Sequence, residues 1–317
     1  MTFKARSAIA VRGAAAYNTS HIFVIFRVRW SGVCELNVLV VATASPLSRA
    51  LAQWFEMRGR AHHFIAPEEI TRLERDGLRD TMVLDIATID ALQRGNSLSI
   101  SGEARHHLVE LVEQAGCPFL FVSDGRVFDG DEAPLNHRES EKVQPGSVAG
   151  GRLSAIEHLL EKHIEQHFIL RTGSLFSEDG DNFFTGLFSR LLAGGDIALN
   201  ASLKTCPTHV TDLSRVISAA IDQLACGAQN WGVYHYNSSG QTSAYEFAEV
   251  MLAFTSQHRD LTRAGSSLSA LESGIRIEPA VPVLRCEKIL QHFGIKQLPW
   301  RTYLPTPIKL LCEGNTL

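Results

Sequence analysis

The sequence predicts an α/β protein built on a doubly wound parallel sheet. Short runs rich in Val, Ile and Leu recur along the chain, and stretches with apolar residues at helical spacing stand between them. Glycine follows several of the helical stretches, as a C-terminal cap does. Strands alternating with helices of this length imply parallel pairing with helices on both faces. A length of 317 residues fits one large domain, or a domain with a smaller appended lobe.

The elements follow in order. LNVLVVAT (Leu36 to Thr43) reads as a buried strand. Pro46 to Arg58 places Leu47, Ala50, Leu51, Trp54 and Phe55 on one helical face, and Gly59 ends it. His62 to Ile65, Met82 to Ile86 and Pro118 to Val122 read as further strands, with a helix from Glu103 to Gln114 ended by Gly116. A helix is expected over Ser154 to His167, then a strand over Phe168 to Leu170. Later come helices at Asp181 to Ala193, Thr211 to Leu224 and Ser243 to Phe254, the last opened by a good capping residue. Gly232 to Asn237 is a strand with alternating aromatic residues. Leu261 to Pro282 reads as loop, and Glu287 to Phe293 as a short helix ended by Gly294.

A hydrophobic content of 45% and a charged content of 20% suit a folded body that needs no disulfide or metal to be stable. The cysteines Cys34, Cys117, Cys206, Cys226, Cys286 and Cys312 include no CxxC pair, so no zinc or dithiol centre is expected and the compartment reads as cytoplasmic. No apolar run reaches a membrane span. Residues 1–35 carry Lys4, Arg6, Arg12, Arg27 and Arg29 against the single acid Glu35, and read as a basic, unstructured extension or a transit peptide, the first being favoured. The remaining body is more acidic than the whole chain, whose net charge is −4, which argues against a nucleic-acid partner.

Five stretches, in order, resemble the dTDP-4-dehydrorhamnose reductase family, a branch of the extended short-chain dehydrogenase/reductases. VSDGRVFDG (Val122 to Gly130) is similar to the family's STDYVFDG. LRTGSLF followed by NFF (Leu170 to Phe184) is similar to RTSWVYG…NNF, and CPTHVTDL (Cys206 to Leu213) to SPTYARDL. GVYHYNSSGQTSAYEFA (Gly232 to Ala248) is similar to GIYHVSGSGETSWYEFA, and KILQHFGI (Lys288 to Ile295) to the terminal KL…FGI. The resemblance covers about Leu36 to Leu304. It implies a Rossmann-like NAD(P)-binding core over residues 36–170. Residues 171–317 would form a mixed C-terminal part holding the smaller substrate-binding lobe and elements that return to the core. It also implies hydride transfer from NAD(P)H to a 4-keto sugar carried on a nucleoside diphosphate.

That chemistry needs a proton donor beside the ketone. The family uses a Tyr whose pKa a nearby Lys lowers, four residues apart so that both share one helix face. Its segment NVYGRSKLAGE corresponds here to SVAGGRLSAIE, Ser147 to Glu157, so Ala149 and Leu153 stand at the Tyr and Lys positions. No Tyr occurs between Tyr17 and Tyr234, and neither Lys142 nor Lys162 follows a Tyr by four. The third catalytic position becomes Asp124, with Ser123 still offering a hydroxyl, and an ionised Asp124 would repel an alkoxide. Arg126 replaces a Tyr; it could meet a phosphate or carboxylate, pair with Asp124 or face water, the last two being favoured. The cofactor turn TGANGQLGRAL corresponds to VATASPLSRAL. Ala42, Ser45 and Ser48 replace its glycines, and Pro46 and Leu47 stand between the two serines. Tight NAD(P) binding in the usual pose is not expected, although the helix start could still hold an anion weakly.

The resemblance also marks Arg171, Thr172, Pro207 and Thr208 as substrate-side positions. Arg171 reads equally well as an Arg tying loops together, and Asp212 as a first-turn acid of its helix. His163 and His167 share the i, i+4 spacing of a metal pair, but with Glu161 and Glu165 they read as a polar face, and no metal is expected. Tyr245, Phe247 and Val250 read as lobe core. The expectation is a pseudoenzyme of the family, binding a nucleotide sugar or an unknown protein partner, with homo-oligomerisation left open. The competing expectation is an active NAD(P)H-dependent reductase with a rebuilt site.

Overall fold

A computed structural model describes residues 36–95, 100–130, 136–259 and 265–314. The basic extension, residues 1–35, lies outside them. The first Val-rich run forms β1 (Asn37–Val41), whose branched side chains suit a strand buried on both faces. Ser45 then caps α1 (Pro46–Met57), with Pro46 in the first turn where its missing N–H costs nothing. β2 (His62–Ile65), β3 (Thr81–Asp85), α2 (Ala87–Gln93), α3 (Gly102–Ala115), β4 (Phe119–Asp124), α4 (Val148–His163) and β5 (His167–Thr172) follow.

Beyond β5 come β6 (Leu175–Phe176), α5 (Phe183–Ala193), β7 (Asp196–Leu199), β8 (Thr208–His209), α6 (Val210–Ala225), β9 (Gly232–Tyr236), α7 (Ala244–Thr255), β10 (Ser267–Ala270), α8 (Glu287–Phe293) and α9 (Pro305–Glu313). Six strands make one sheet in the order β2-β1-β3-β4-β5-β9, every pair parallel. The chain goes from β1 to β2 on one side and returns to β3 on the other. The strand order therefore reverses between β1 and β3, and the crevice beyond their carboxyl ends is where open α/β sheets place ligands.

Each sheet face has its own core. Val38, Val40, Leu120, Val122 and Leu170 pack with α1 and α6 on one side. Leu39, Val41, Phe119, Phe121 and Ile169 pack with α3 and α4 on the other. A third core joins Phe184, Phe247, Trp300 and Ile308 from α5, α7 and the C-terminal segment, beside the parallel pair β7–β10.

The expected strands and helices recur, with three corrections. α4 begins at Val148, not Ser154, because Ser147 accepts the Gly150 amide at 2.9 Å and starts the helix early. It ends at His163, and His167 opens β5 instead of closing the helix. Five short elements were not expected: the strands β6, β7 and β8, α2, which is buried almost all round, and α9, which follows Leu304 instead of a capping side chain. The stretch read as loop, Leu261 to Pro282, contains β10, whose SLSA lacks apolar alternation. Among the described residues no helix is long and apolar enough to cross a membrane.

Candidate functional site

The crevice at the switch point is crossed by side chains of the protein itself. Ser45 caps α1 reciprocally with Ser48: its Oγ accepts the Ser48 amide at 3.0 Å, and its own amide donates to Ser48 Oγ at 2.9 Å. From the same position Ser45 Oγ donates to Asp90 Oδ2 of α2 at 2.6 Å. Asp90 is nearly fully buried, and burial, the largest influence, pushes its carboxyl up to about 7 against the lowering effect of Ser45 and Arg94. Arg94 adds a second tie, donating to Thr43 Oγ1 at 3.0 Å. Thr43 and Ser45 follow β1, whereas Asp90 and Arg94 follow β3, so both bonds bridge the reversal point.

The loop after β6 meets the same turn. Asp179 pairs with Arg49 of α1, and a Cβ on Gly180 would lie 3.4 Å from Pro46 Cγ. Ala42, Leu47 and Ser48 are buried, and Pro46 is half-buried. The turn that carries these residues therefore has its helix-start groups satisfied by serines, with a carboxyl packed against it where a dinucleotide's pyrophosphate would bring negative charge.

The positions that the resemblance marks as catalytic are packed in a different way. Leu153 of α4 is fully buried in the core shared with β4 and α3, and Ala149 is half-buried against the same cluster. Gly150 lies against the chain after β4. A Cβ there would sit 2.2 Å from the Arg126 carbonyl oxygen, so only glycine lets the helix approach. Asp124, fully buried, receives the Arg126 amide at 2.9 Å and the Arg126 side chain at 3.0 and 2.5 Å. Its Oδ2 also receives Gln93 Nε2 at 3.2 Å, and Gln93 Oε1 accepts the Leu175 amide at 3.1 Å. Gln93 thereby links the ends of β3, β4 and β5. Arg126 is held by Asp124 and directs Nη1 to the Leu92 carbonyl at 3.4 Å. Ser123 Oγ is buried with no hydrogen-bond partner among the described residues.

The residues that the resemblance marks as substrate-side are similarly engaged within the protein. Arg171 on β5 meets Glu157 of α4 at 2.7 Å, approaches His235 Nε2 at 3.3 Å and lies over the Phe128 ring at 5.1 Å. Burial, together with Arg171, holds the His235 pKa well below the ordinary histidine range. Thr172 is buried with an unpartnered hydroxyl. Pro207 is buried, and Thr208 Oγ1 accepts the Ser238 amide at 3.0 Å. Asp212 is a hub that receives Tyr236 at 2.7 Å, Arg215 at 2.7 Å, Tyr303 at 3.0 Å and Ser238 at 3.1 Å. His163 lies 3.3 Å from Glu113, whereas His167 contacts the Ile164 carbonyl at 2.7 Å; the two share no helix face. Asp90, Gln93, Arg94, Glu157 and His235 escape sequence reasoning, since each matters through a partner distant in the chain.

Parallel strands, a switch-point turn and a strand-end cleft define a Rossmann-like protein of the short-chain dehydrogenase/reductase class. Solved structures of that class superpose over most of the chain. A dTDP-4-dehydrorhamnose reductase from Clostridium acetobutylicum matches with a TM-score of 0.69 at 20% identity, covering 87% of this chain and 99% of its own. MoeE5 in complex with UDP-glucose and NAD matches with a TM-score of 0.64 at 17% identity, covering 88% of this chain and 100% of its own. The chain belongs to the RmlD substrate binding domain family, whose model matches residues 89–312. Among curated relatives, the dTDP-4-dehydrorhamnose reductase of Sinorhizobium fredii is 24% identical over 250 residues, 76% of this chain and 84% of the relative. The spore coat polysaccharide biosynthesis protein SpsK of Bacillus subtilis is 23% identical over 206 residues, 65% of this chain and 69% of the relative.

Proposed function

We propose that this chain is a non-catalytic member of its family, a pseudoenzyme with a binding or regulatory role, and that a nucleotide sugar is the first ligand class to test. The observation that carries this reading is the pair of bonds across the reversal point, Ser45 to Asp90 and Arg94 to Thr43. A dinucleotide entering the usual crevice would have to break both and place phosphate beside a buried carboxyl. Apolar Ala149 and Leu153 support the same reading, because neither can donate a proton or carry a charge.

NADP and NAD occupy solved relatives, so a cofactor fits the family. In this chain the residues that would line its site are Ala42, Ser45, Pro46, Leu47 and Ser48. We take residues 36–170 as the Rossmann-like core and 171–317 as the mixed part with the substrate lobe. We place the protein in the cytoplasm, with a protein partner or a second copy as the remaining candidates for what it binds.

A second reading rests on Ser123, whose buried, unpartnered hydroxyl could supply a proton in a rebuilt reductase. Thermal unfolding with dTDP- and UDP-sugars on one arm and NADPH and NADH on the other separates the readings. A rise with nucleotide sugars alone supports the non-catalytic reading. A rise with NADPH accompanied by reduction of a 4-keto nucleotide sugar refutes it, and no rise in either arm leaves only a scaffold for a protein partner.

A further inference from the structure

A second charged feature lies away from the strand-end crevice, at the outer edge of β9. Two segments run side by side there around a parallel bridge between His137 and Leu284. The His137 amide donates to the Val283 carbonyl at 3.0 Å, and the Arg285 amide donates to the His137 carbonyl at 2.8 Å. One residue further along each segment stand Arg138 and Arg285, and both line one hollow of about 500 Å³.

Like charges directly opposite one another repel. Among the described residues neither guanidinium makes a hydrogen bond or a close ion pair, although Arg138 helps to lower the pKa of its neighbour Glu141. The nearby acids are otherwise engaged or exposed. Glu141 receives His137 and the Arg138 amide. Glu139 accepts the outward amide of His235 at 3.1 Å, and burial raises its pKa. Glu287, exposed at the start of α8, lines the hollow together with Glu139. Lys288, on the same wall, donates to the Val233 carbonyl at 2.6 Å and lies 4.3 Å from the Tyr234 ring centre. Glu139 and Lys288 thus satisfy outward backbone groups of the edge strand, and the lining carries three cations, Arg138, Arg285 and Lys288, against the carboxylates of Glu139 and Glu287.

We propose that this hollow binds a small organic oxyanion, its phosphate or carboxylate group held between the guanidiniums of Arg138 and Arg285. The planar guanidinium is suited to forked hydrogen bonding of either group. The volume exceeds that of a bare ion and falls in the range of small-molecule sites. Ser140 and Gln291 on the rim supply polar groups for the rest of the ligand. None of these residues belongs to the crevice, so the outcome is independent of whether the chain reduces a sugar.

The proposal is tested by thermal unfolding of the full chain in sodium phosphate, in sodium citrate and in sodium chloride at matched ionic strength. Wild type and the Arg138→Gln/Arg285→Gln variant are compared. Phosphate or citrate raises the wild-type Tm saturably and leaves the variant unmoved, while in chloride the variant unfolds no lower than wild type because a repulsion is gone. A larger shift with phosphate assigns a phosphoester ligand, and a larger shift with citrate assigns a carboxylate. If the double variant does not fold, the single Arg138→Gln change, at an exposed side chain, is read by broadening of the 31P resonance of inorganic phosphate or the 13C resonance of labelled citrate. Equal shifts or equal broadening in wild type and variant, or none in wild type with either anion, would overturn the proposal.

Discussion

Helix α4 carries two kinds of position, and they contrast sharply. Gly150 and Glu157 match the family segment, and both serve the fold. Gly150 lets the helix touch the Arg126 carbonyl, and Glu157 holds Arg171 at 2.7 Å. Ala149 and Leu153 stand where that segment has its Tyr and Lys, and they are packed as apolar surface against the core. One helix therefore keeps residues that serve the fold and packs apolar side chains at the two positions that the resemblance marks as catalytic. The same division runs through the sheet ends. The Asp212 hub and the Glu157–Arg171 pair serve packing, whereas the turn at Ala42 to Ser48 has serines and a buried Asp90 where the family has glycines.

Four substitutions test that contrast. Arg171→Ala leaves Glu157 buried without its partner, and urea unfolding should show a loss of about 3–5 kcal/mol. A loss below about 1 kcal/mol would mean that the pair is not a structural tie. Leu153→Ala should cost about 2–5 kcal/mol, since the side chain is fully enclosed. A near-neutral result would show that the position is open, as a catalytic site would be.

Asp90→Asn is read through pH. The Asp90 pKa is raised from 3.8 in the unfolded chain to about 7 in the folded one, so the folded state binds the extra proton between those values. Its contribution is complete below about pH 4, declines as pH rises to about 7, and changes no further above that. Urea midpoints measured from pH 4 to pH 8 should fall more steeply for wild type than for Asp90→Asn, by up to about 4 kcal/mol over the window. Parallel curves would place Asp90 in water instead of across the crevice. Gly150→Ala forces a methyl group against the Arg126 carbonyl and should cost about 1–3 kcal/mol, checked by calorimetry. An unchanged Tm would mean that α4 does not lean on this turn.

The architecture was largely legible in the sequence because its signals are local. A Val-rich run, a capping Ser and a terminal Gly each report on their own few residues, so β1, β2, α1 and α8 fall close to their expected positions. α2 was hidden because Ala87 to Leu92 are buried together and show no polar side. The start of α4 falls on two glycines, which disfavour a helix, and the contact that requires one of them, Gly150, lies at Arg126, 24 residues earlier. The apolar character of Ala149 and Leu153 could be read directly, residue by residue. The closure of the crevice could not: Ser45 and Asp90 are 45 positions apart and meet only because β3 pairs with β1.

We propose that a turn without glycine, a crevice bridged by Ser45–Asp90 and Arg94–Thr43, and a helix with Ala149 and Leu153 in place of a Tyr and a Lys do not support hydride transfer. Nicotinamide fluorescence during titration with NADPH, followed in the same cuvette by a 4-keto nucleotide sugar, tests it most directly. No saturable enhancement and no decay of the nicotinamide signal on adding the sugar are expected. Saturable enhancement at micromolar NADPH, with decay in step with formation of the reduced sugar, would contradict it.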